Sequence, residues 1–338
     1  MRKLTFLVTL FVLAAIGWGT YWYIGARAME GAYQAWLADR RAEGWVAEAE
    51  VKTDGLPNRF DTSFTGLQLA DPYTGTAWSA PLFQIMSLSY KPNHAILYWP
   101  GEQSIALPDQ SLTLTSHDMR GSLHVEPNPS LPLVETVVEL QNGAVASTKG
   151  WQASLGHAQI AMRPRPEADP AAHLYDVAVS LDNLSPGETF LNFTRDLSGL
   201  PDVIEGAEIT AQIAFDRDWD RRALESRRPQ PVRINLDTLT AQWGGMQLTA
   251  TGTLDIGANG QPSGKIDISA THWRDMLVLA RATGAIGPEH DAALTRGLNF
   301  IAALSDNPEV LDLPLTFKNG ITFIGPVPLG AAPVIALP

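Results

Sequence analysis

Cysteine is absent from the 338-residue chain, which excludes disulfides, thiolate metal ligands and a cysteine nucleophile. Basic charge is scarce: 24 Lys and Arg stand against 36 Asp and Glu, a formal net charge of −12. Such a chain repels polyanions at long range, which argues against nucleic acid as a partner and against generic attraction to anionic headgroups. The histidines (His94, His117, His124, His157, His173, His272 and His290) include no i, i+4 pair and no H-E-x-x-H segment. No helix face therefore carries ready-made metal ligands. A G-x-S-x-G nucleophile elbow is missing too. These absences lead to the expectation of a protein that is not an enzyme, with no catalytic, cofactor-binding or metal-ligating residues.

Three near-motifs fall short for stated reasons. Asp216, Asp218 and Asp220 open like a calcium loop, but Arg221 stands where glycine is required and Arg227 where a bidentate glutamate belongs. Gly264-Lys265 suggests a phosphate loop, but Asn259 replaces its first glycine and Ile266 its Ser or Thr, so a hairpin loop is expected. Trp45, Trp78, Trp99, Trp151, Trp219, Trp243 and Trp273 are candidates for lining a ligand cavity. Each alone is also the kind of aromatic found in strands and cores.

What the chain does have starts at its amino end. Arg2 and Lys3 precede Leu4–Ile24, a stretch without a charged side chain. As a helix those 21 residues span about 31 Å, near the hydrocarbon thickness of a bilayer. Leu7, Val8, Leu10, Phe11, Val12, Leu13 and Ile16 together favour insertion by about 3 kcal/mol. Trp18, Tyr21, Trp22 and Tyr23 suit the far interface. The leading cations orient the amino terminus to the cytoplasm and place everything after about residue 25 outside. A cleaved signal peptide is the competing reading, because Ala26-Arg27-Ala28 fits a cleavage site. Helical periodicity continues past that site through Met29, Tyr33, Trp36 and Leu37, until Gly44 offers a stop. The expected division is an anchor with its continuing helix over 1–44 and a β-rich periplasmic body over 45–338.

Within the body, period-two alternation dominates. Leu248, Ala250, Gly252 and Leu254 share one face against Gln247, Thr249, Thr251, Thr253 and Asp255. Ile266, Ile268 and Ala270 continue the pattern after a loop with Asn259-Gly260 and Pro262, which reads as a hairpin. The rhythm recurs at 111–115, 175–182 and 209–215, and more weakly at 46–54, 59–70, 82–91, 94–99, 133–140, 151–162 and 232–240. Loops are expected at 127–132, 164–170 and 216–230. Two helices are expected over about 271–305: one capped by Thr271 and ending near Gly284, the other opening at Pro288 with Leu294, Leu298, Ile301 and Leu304. Strands return at 311–317 and 320–324 around Asn319-Gly320.

The fold class expected is mainly β (α+β): a curved antiparallel sheet, β-sandwich or half-barrel with a few packed helices, preceded by one transmembrane helix. Around ten strands present apolar faces to only three helices. Each uncovered Å² of apolar surface costs about 25 cal/mol. The sheet must then curl, pair with a second sheet, or hold a ligand.

Gly55-Leu56-Pro57-Asn58-Arg59-Phe60-Asp61, Asp71-Pro72, Trp78-Ser79-Ala80-Pro81, Ser89-Tyr90-Lys91-Pro92 and Trp99-Pro100 stand in that order. Trp273-Arg274, Leu313-Pro314-Leu315 and Gly325-Pro326-Val327-Pro328-Leu329-Gly330 follow. With these segments the chain resembles a bacterial family called domain of unknown function 2125. The resemblance implies an alphaproteobacterial envelope protein and supplies no catalytic residues. More distantly, the strand, glycine loop, strand and helix at 247–284 are similar to parts of AsmA-like envelope proteins, which are anchored by one helix and associated with lipid or outer-membrane homeostasis. The Gly-Leu-Pro-Asn and Gly-Pro-Val-Pro segments are expected to shape turns.

The leading functional expectation is a non-catalytic, membrane-anchored periplasmic protein. It would bind or guide a hydrophobic ligand, lipid first, or assist envelope upkeep, with the inner membrane engaged through residues 4–24. An adaptor docking an envelope protein is the alternative, and an enzyme assembled from scattered residues is the third.

Overall fold

A computed structural model of the chain describes every residue except 1, 167–168, 189, 193–199, 226, 283–287, 304–306, 326 and 338. The chain divides into two compact units. Unit one holds 1–125 and 140–150, and unit two holds 126–139 and 151–338.

Unit one begins with α1, Arg2–Ala42, a single unbroken helix. It is long and apolar enough at its amino end to cross a membrane. Gly44, at φ 90°, closes it. Its N–H donates to Arg41 O at 3.0 Å and that of Trp45 to Arg40 O at 3.0 Å, the paired bonds of a Schellman cap. Strands β1 (Val46–Asp54), β2 (Arg59–Asp71), β3 (Thr76–Leu88), β4 (Lys91–Tyr98), β5 (Gln103–Leu107) and β6 (Gln110–Val125) follow. They pair antiparallel in the order β1-β2-β3-β4-β6, with β5 against β3 and β6.

The carboxyl half of α1 covers this sheet. Trp22, Ala26, Met29, Tyr33, Leu37 and Arg40 recur at helical spacing with reduced exposure, while the amino half is exposed. Leu37 packs with Ala47, Val51, Phe64 and Leu67, joined by Tyr33, Trp36, Trp78 and Phe83. The stripe of reduced exposure includes the expected Met29, Tyr33 and Leu37 and runs back to Trp22.

Strand β7, Leu133–Ser147, contributes its first residues to unit two and its last to unit one. Unit two continues with β8 (Gln152–Pro164), β9 (Leu174–Ser185), β10 (Ile204–Phe215), a one-turn α2 (Arg222–Glu225), β11 (Pro231–Trp243), β12 (Met246–Ile256) and β13 (Pro262–Thr271). Helices α3 (Trp273–Ala282) and α4 (Pro288–Ala303) intervene before β14 (Val310–Lys318), β15 (Ile321–Ile324) and β16 (Val327–Ala331). From β8 to β16 each strand hydrogen-bonds to its sequence neighbours, an antiparallel meander. The helical excursion does not interrupt it, because Thr271 pairs with Val310 on either side.

The mainly β, antiparallel class with few helices is what alternation predicted. Sixteen strands are present among the described residues, and fourteen of them overlap segments read as strands in the sequence. Two were unanticipated. β5 has only five residues. β16 takes up Val327-Pro328 of the Gly-Pro-Val-Pro segment that was expected to shape a turn: Gly325 turns at φ 54°, but Val327 and Pro328 pair with Ile324 and Phe323. Pro328 is tolerated because β16 is the last strand in the order, with no outer ladder to supply. The loop expected at 216–230 contains α2. The helix end near Gly284 and the position of Leu304 lie outside the described residues.

Candidate functional site

Two turns of unit one meet the side of α1. The β1–β2 turn starts at Gly55, φ 110°, where an added Cβ would stand 2.8 Å from Arg59 O, so only glycine fits. The Leu56–Pro57 peptide is cis. Ser89, in the β3–β4 turn, is fully buried and donates from its N–H to Asn58 O at 2.8 Å, joining the two turns. Helix side chains then cap the turn carbonyls. Trp18 Nε1 donates to Pro57 O at 2.8 Å, Tyr21 Oη to Ser89 O at 2.7 Å, and Trp22 Nε1 to Arg59 O at 2.6 Å. Phe60 is buried with its ring 6.1 Å from that of Trp22. A Cβ on Gly25 would fall 2.6 Å from Phe60 Cζ, so the helix needs glycine there to lie this close. On the outer side Leu56 is 61% and Tyr90 63% exposed. The segments Gly55–Asp61 and Ser89–Pro92, quoted above for their resemblance, thus converge on one place.

The second feature is a face of unit two. Strand register puts Ile160 and Met162 beside Val179 and Val177, those beside Ile209 and Ala211, and these beside Leu239 and Leu236. Gln159, Ser180, Glu208 and Thr240 run along the opposite face. The apolar face continues through Ala250, Ile268 and Leu313. There it is covered: α3 and α4 bring Trp273, Leu277, Leu294, Leu298 and Ala302 onto Ala270, Leu311 and Leu313. The carboxyl-terminal segment adds Ala332 and Ile335 over Leu254 and Phe317. These clusters reach β11 at Ile234 and include nothing from β8, β9 or β10. On those strands Val177, Val179, Leu181, Ile209 and Ile213 are half-buried, and Ile160 is 52% exposed.

The residues singled out from sequence do not converge. Asp216 accepts from Arg217 and from the N–H of Gln230, Asp218 from His173 Nδ1 at 2.7 Å, and Asp220 from Arg222. Each carboxylate is thus turned to its own donor rather than to a shared centre. No group of three or more His, Asp or Glu is placed to hold a metal among the described residues. Gly257–Gln261 closes the β12–β13 hairpin by a bond from Gly257 N to Gln261 O at 2.9 Å, as expected. Trp45, Trp78 and Trp99 belong to unit one and Trp151, Trp219, Trp243 and Trp273 to unit two. Trp78 donates to Gln103, Trp243 to Pro201 O and Trp273 to Pro308 O, so these indoles serve packing and turns. A depression of about 330 Å³ lies on the polar side of β12–β14, lined by Thr249, Thr251, Asp267, Ser269 and Asp312 among others.

Among the histidines, His94 and His124 stack across β4 and β6 with centroids 5.2 Å apart. His157 bonds Glu139 Oε1 at 3.1 Å and Asp182 Oδ2 at 3.3 Å. The hydrogen bond to Glu139, then that to Asp182, raises the His157 pKa above its ordinary value. A raised folded-state pKa adds stability that is full below the unfolded value and is lost as pH climbs through the folded one. Thermal melts of the intact chain across pH 5 to 9 should show this as a small decline on the alkaline side. His157→Gln should flatten that limb, and an unchanged pH profile in the variant would remove His157 from the account.

No curated protein and no solved structure matches the chain. A family model does, over residues 22–333, and its first matched residue is the Trp22 that caps the Arg59 carbonyl. The chain belongs to the family described as an uncharacterized protein conserved in bacteria, DUF2125.

Proposed function

We propose that this chain is a retained, single-pass membrane protein whose body lies on the periplasmic side and holds a hydrophobic ligand, a lipid acyl chain, without catalysing a reaction on it. The apolar face of β8–β10, half-buried and outside the clusters formed by the helices and the carboxyl-terminal segment, carries the reading. Half-buried Val177, Val179, Ile209 and Ile213 form a contiguous patch that an acyl chain would remove from water, at about 25 cal/mol per Å². The acidic balance of the chain opposes polyanions and leaves an apolar moiety as the fitting guest. Retention of α1 is supported by its contacts. Cleavage at Ala26-Arg27-Ala28 would strip Trp18, Tyr21 and Trp22 from their carbonyls and expose buried Phe60.

Native mass spectrometry of the full-length chain, released from mild detergent, is the test. Bound phospholipid is expected, and the paired changes Val179→Asp and Ile209→Asp should abolish it while the strand signal in circular dichroism persists. Repeated recovery of ligand-free protein that takes up no added lipid would overturn the reading. An alkaline phosphatase fused after Pro338 should be active.

A further inference from the structure

The contacts of α1 leave it short as an anchor. Trp18 is bonded to the β1–β2 turn, and the exposed stretch ahead of it, Leu4–Gly17, is 14 residues or about 21 Å long. A hydrocarbon core of about 30 Å requires the next turns of the helix as well. Those turns carry Trp18, Tyr21 and Trp22, which are bonded to the β1–β2 and β3–β4 turns. Whatever depth these aromatics take, the two turns share it.

The turns are built for that depth. A backbone carbonyl entering the interface loses water and must find another donor. Pro57 O, Arg59 O and Ser89 O each receive one from α1. Among the exposed side chains are Leu56, Tyr90 and Leu88, with Lys91 next in sequence, while exposed Arg59 is paired with Asp61. Such a set places an aliphatic group against acyl chains, a phenol at the headgroup level and an ammonium beside phosphate.

We propose that this rim of unit one is a membrane-inserting surface: both turns enter the interfacial layer of the leaflet from which α1 emerges, with acyl chains against Leu56 and headgroup phosphates beside Lys91. The proposal rests on the retained anchor of the preceding section. It makes the exit of α1 a three-point attachment of helix and two turns, with no flexible stalk between bilayer and sheet.

A chain without cysteine allows the test to be made on the full-length protein. Leu56→Cys, Tyr90→Cys, Leu10→Cys and Tyr73→Cys are made singly, labelled with bimane and placed in nanodiscs of phosphatidylethanolamine and phosphatidylglycerol. Tyr73, 83% exposed in the turn between β2 and β3, is at the opposite end of β2 from Leu56 and serves as the aqueous reference. Labels at 56 and 90 are expected to lose fluorescence to lipids spin-labelled near the headgroup and to resist aqueous iodide. The label at 73 should behave in the opposite way, and that at 10 should respond to deep spin labels. If 56 and 90 follow 73 while 10 remains in lipid, the rim is refuted and the anchor stands. A label at 10 open to iodide would refute the anchor and the rim with it.

Discussion

Trp273→Ala is expected to destabilise unit two by about 3–5 kcal/mol, the largest effect of any single truncation considered, and to lower its melting temperature by roughly 10 °C. Trp273 opens α3 and is only 3% exposed. Its ring fills the space between that helix, Leu294 and Leu298 of α4, and Leu311 and Leu313 of β14. Its Nε1 donates to Pro308 O at 3.1 Å, which fixes the return of the chain from α4 to β14. Alanine would leave a cavity beneath both helices and remove one of the two donors to Pro308 O. Arg274→Ala is the informative contrast. Its guanidinium lies 4.6 Å over the same ring and bonds Pro308 O and Glu309, but the side chain is about half exposed. Loss of about 1 kcal/mol or less follows. Differential scanning calorimetry of the intact chain separates the two, and equal effects would disprove the assignment of the ring as the keystone of this cluster.

Phe60→Ala should cost about 3 kcal/mol locally, with little effect on unit two. Phe60 is buried against Trp22 and Gly25, so truncation opens a void between α1 and β2. The expected readout is faster amide exchange over 55–60 and over the facing turn of α1, residues 18–26. The face of β1–β3 further along the helix is secured by Leu37, Val51 and Phe64 and should keep its protection. Unchanged exchange at 55–60 would mean that the helix is not latched there.

Much of this architecture is legible in the chain. The alternation at 46–54 marks β1 at its observed bounds, and Gly44 ends α1 as its left-handed geometry requires. Hydrophobic period reports which residues share a face, and so it finds strands of ordinary length. It does not find β5, where five residues hold too few alternations, or β16, where prolines read as turn chemistry until the strand is known to be the last in the order. The site on α1 is harder for a different reason. Trp22, Gly25 and Ala26 suit a lipid boundary as well as a sheet face, and only the partner, Phe60, decides between them. The apolar face of β8–β10 was legible as alternation in each strand. Which strands α3, α4 and the terminal segment cover was not, because that depends on where the chain returns rather than on local pattern.

The meander of unit two has a consequence for how such a chain is made. Every strand from β9 to β15 finds both ladder partners immediately before and after it in the sequence, so long-range loop closure is hardly needed before pairing starts. As synthesis proceeds from the amino end, each newly completed strand meets a template already in place. The unfinished edge that could aggregate is then a single strand wide at every moment, and it moves along the protein as synthesis proceeds.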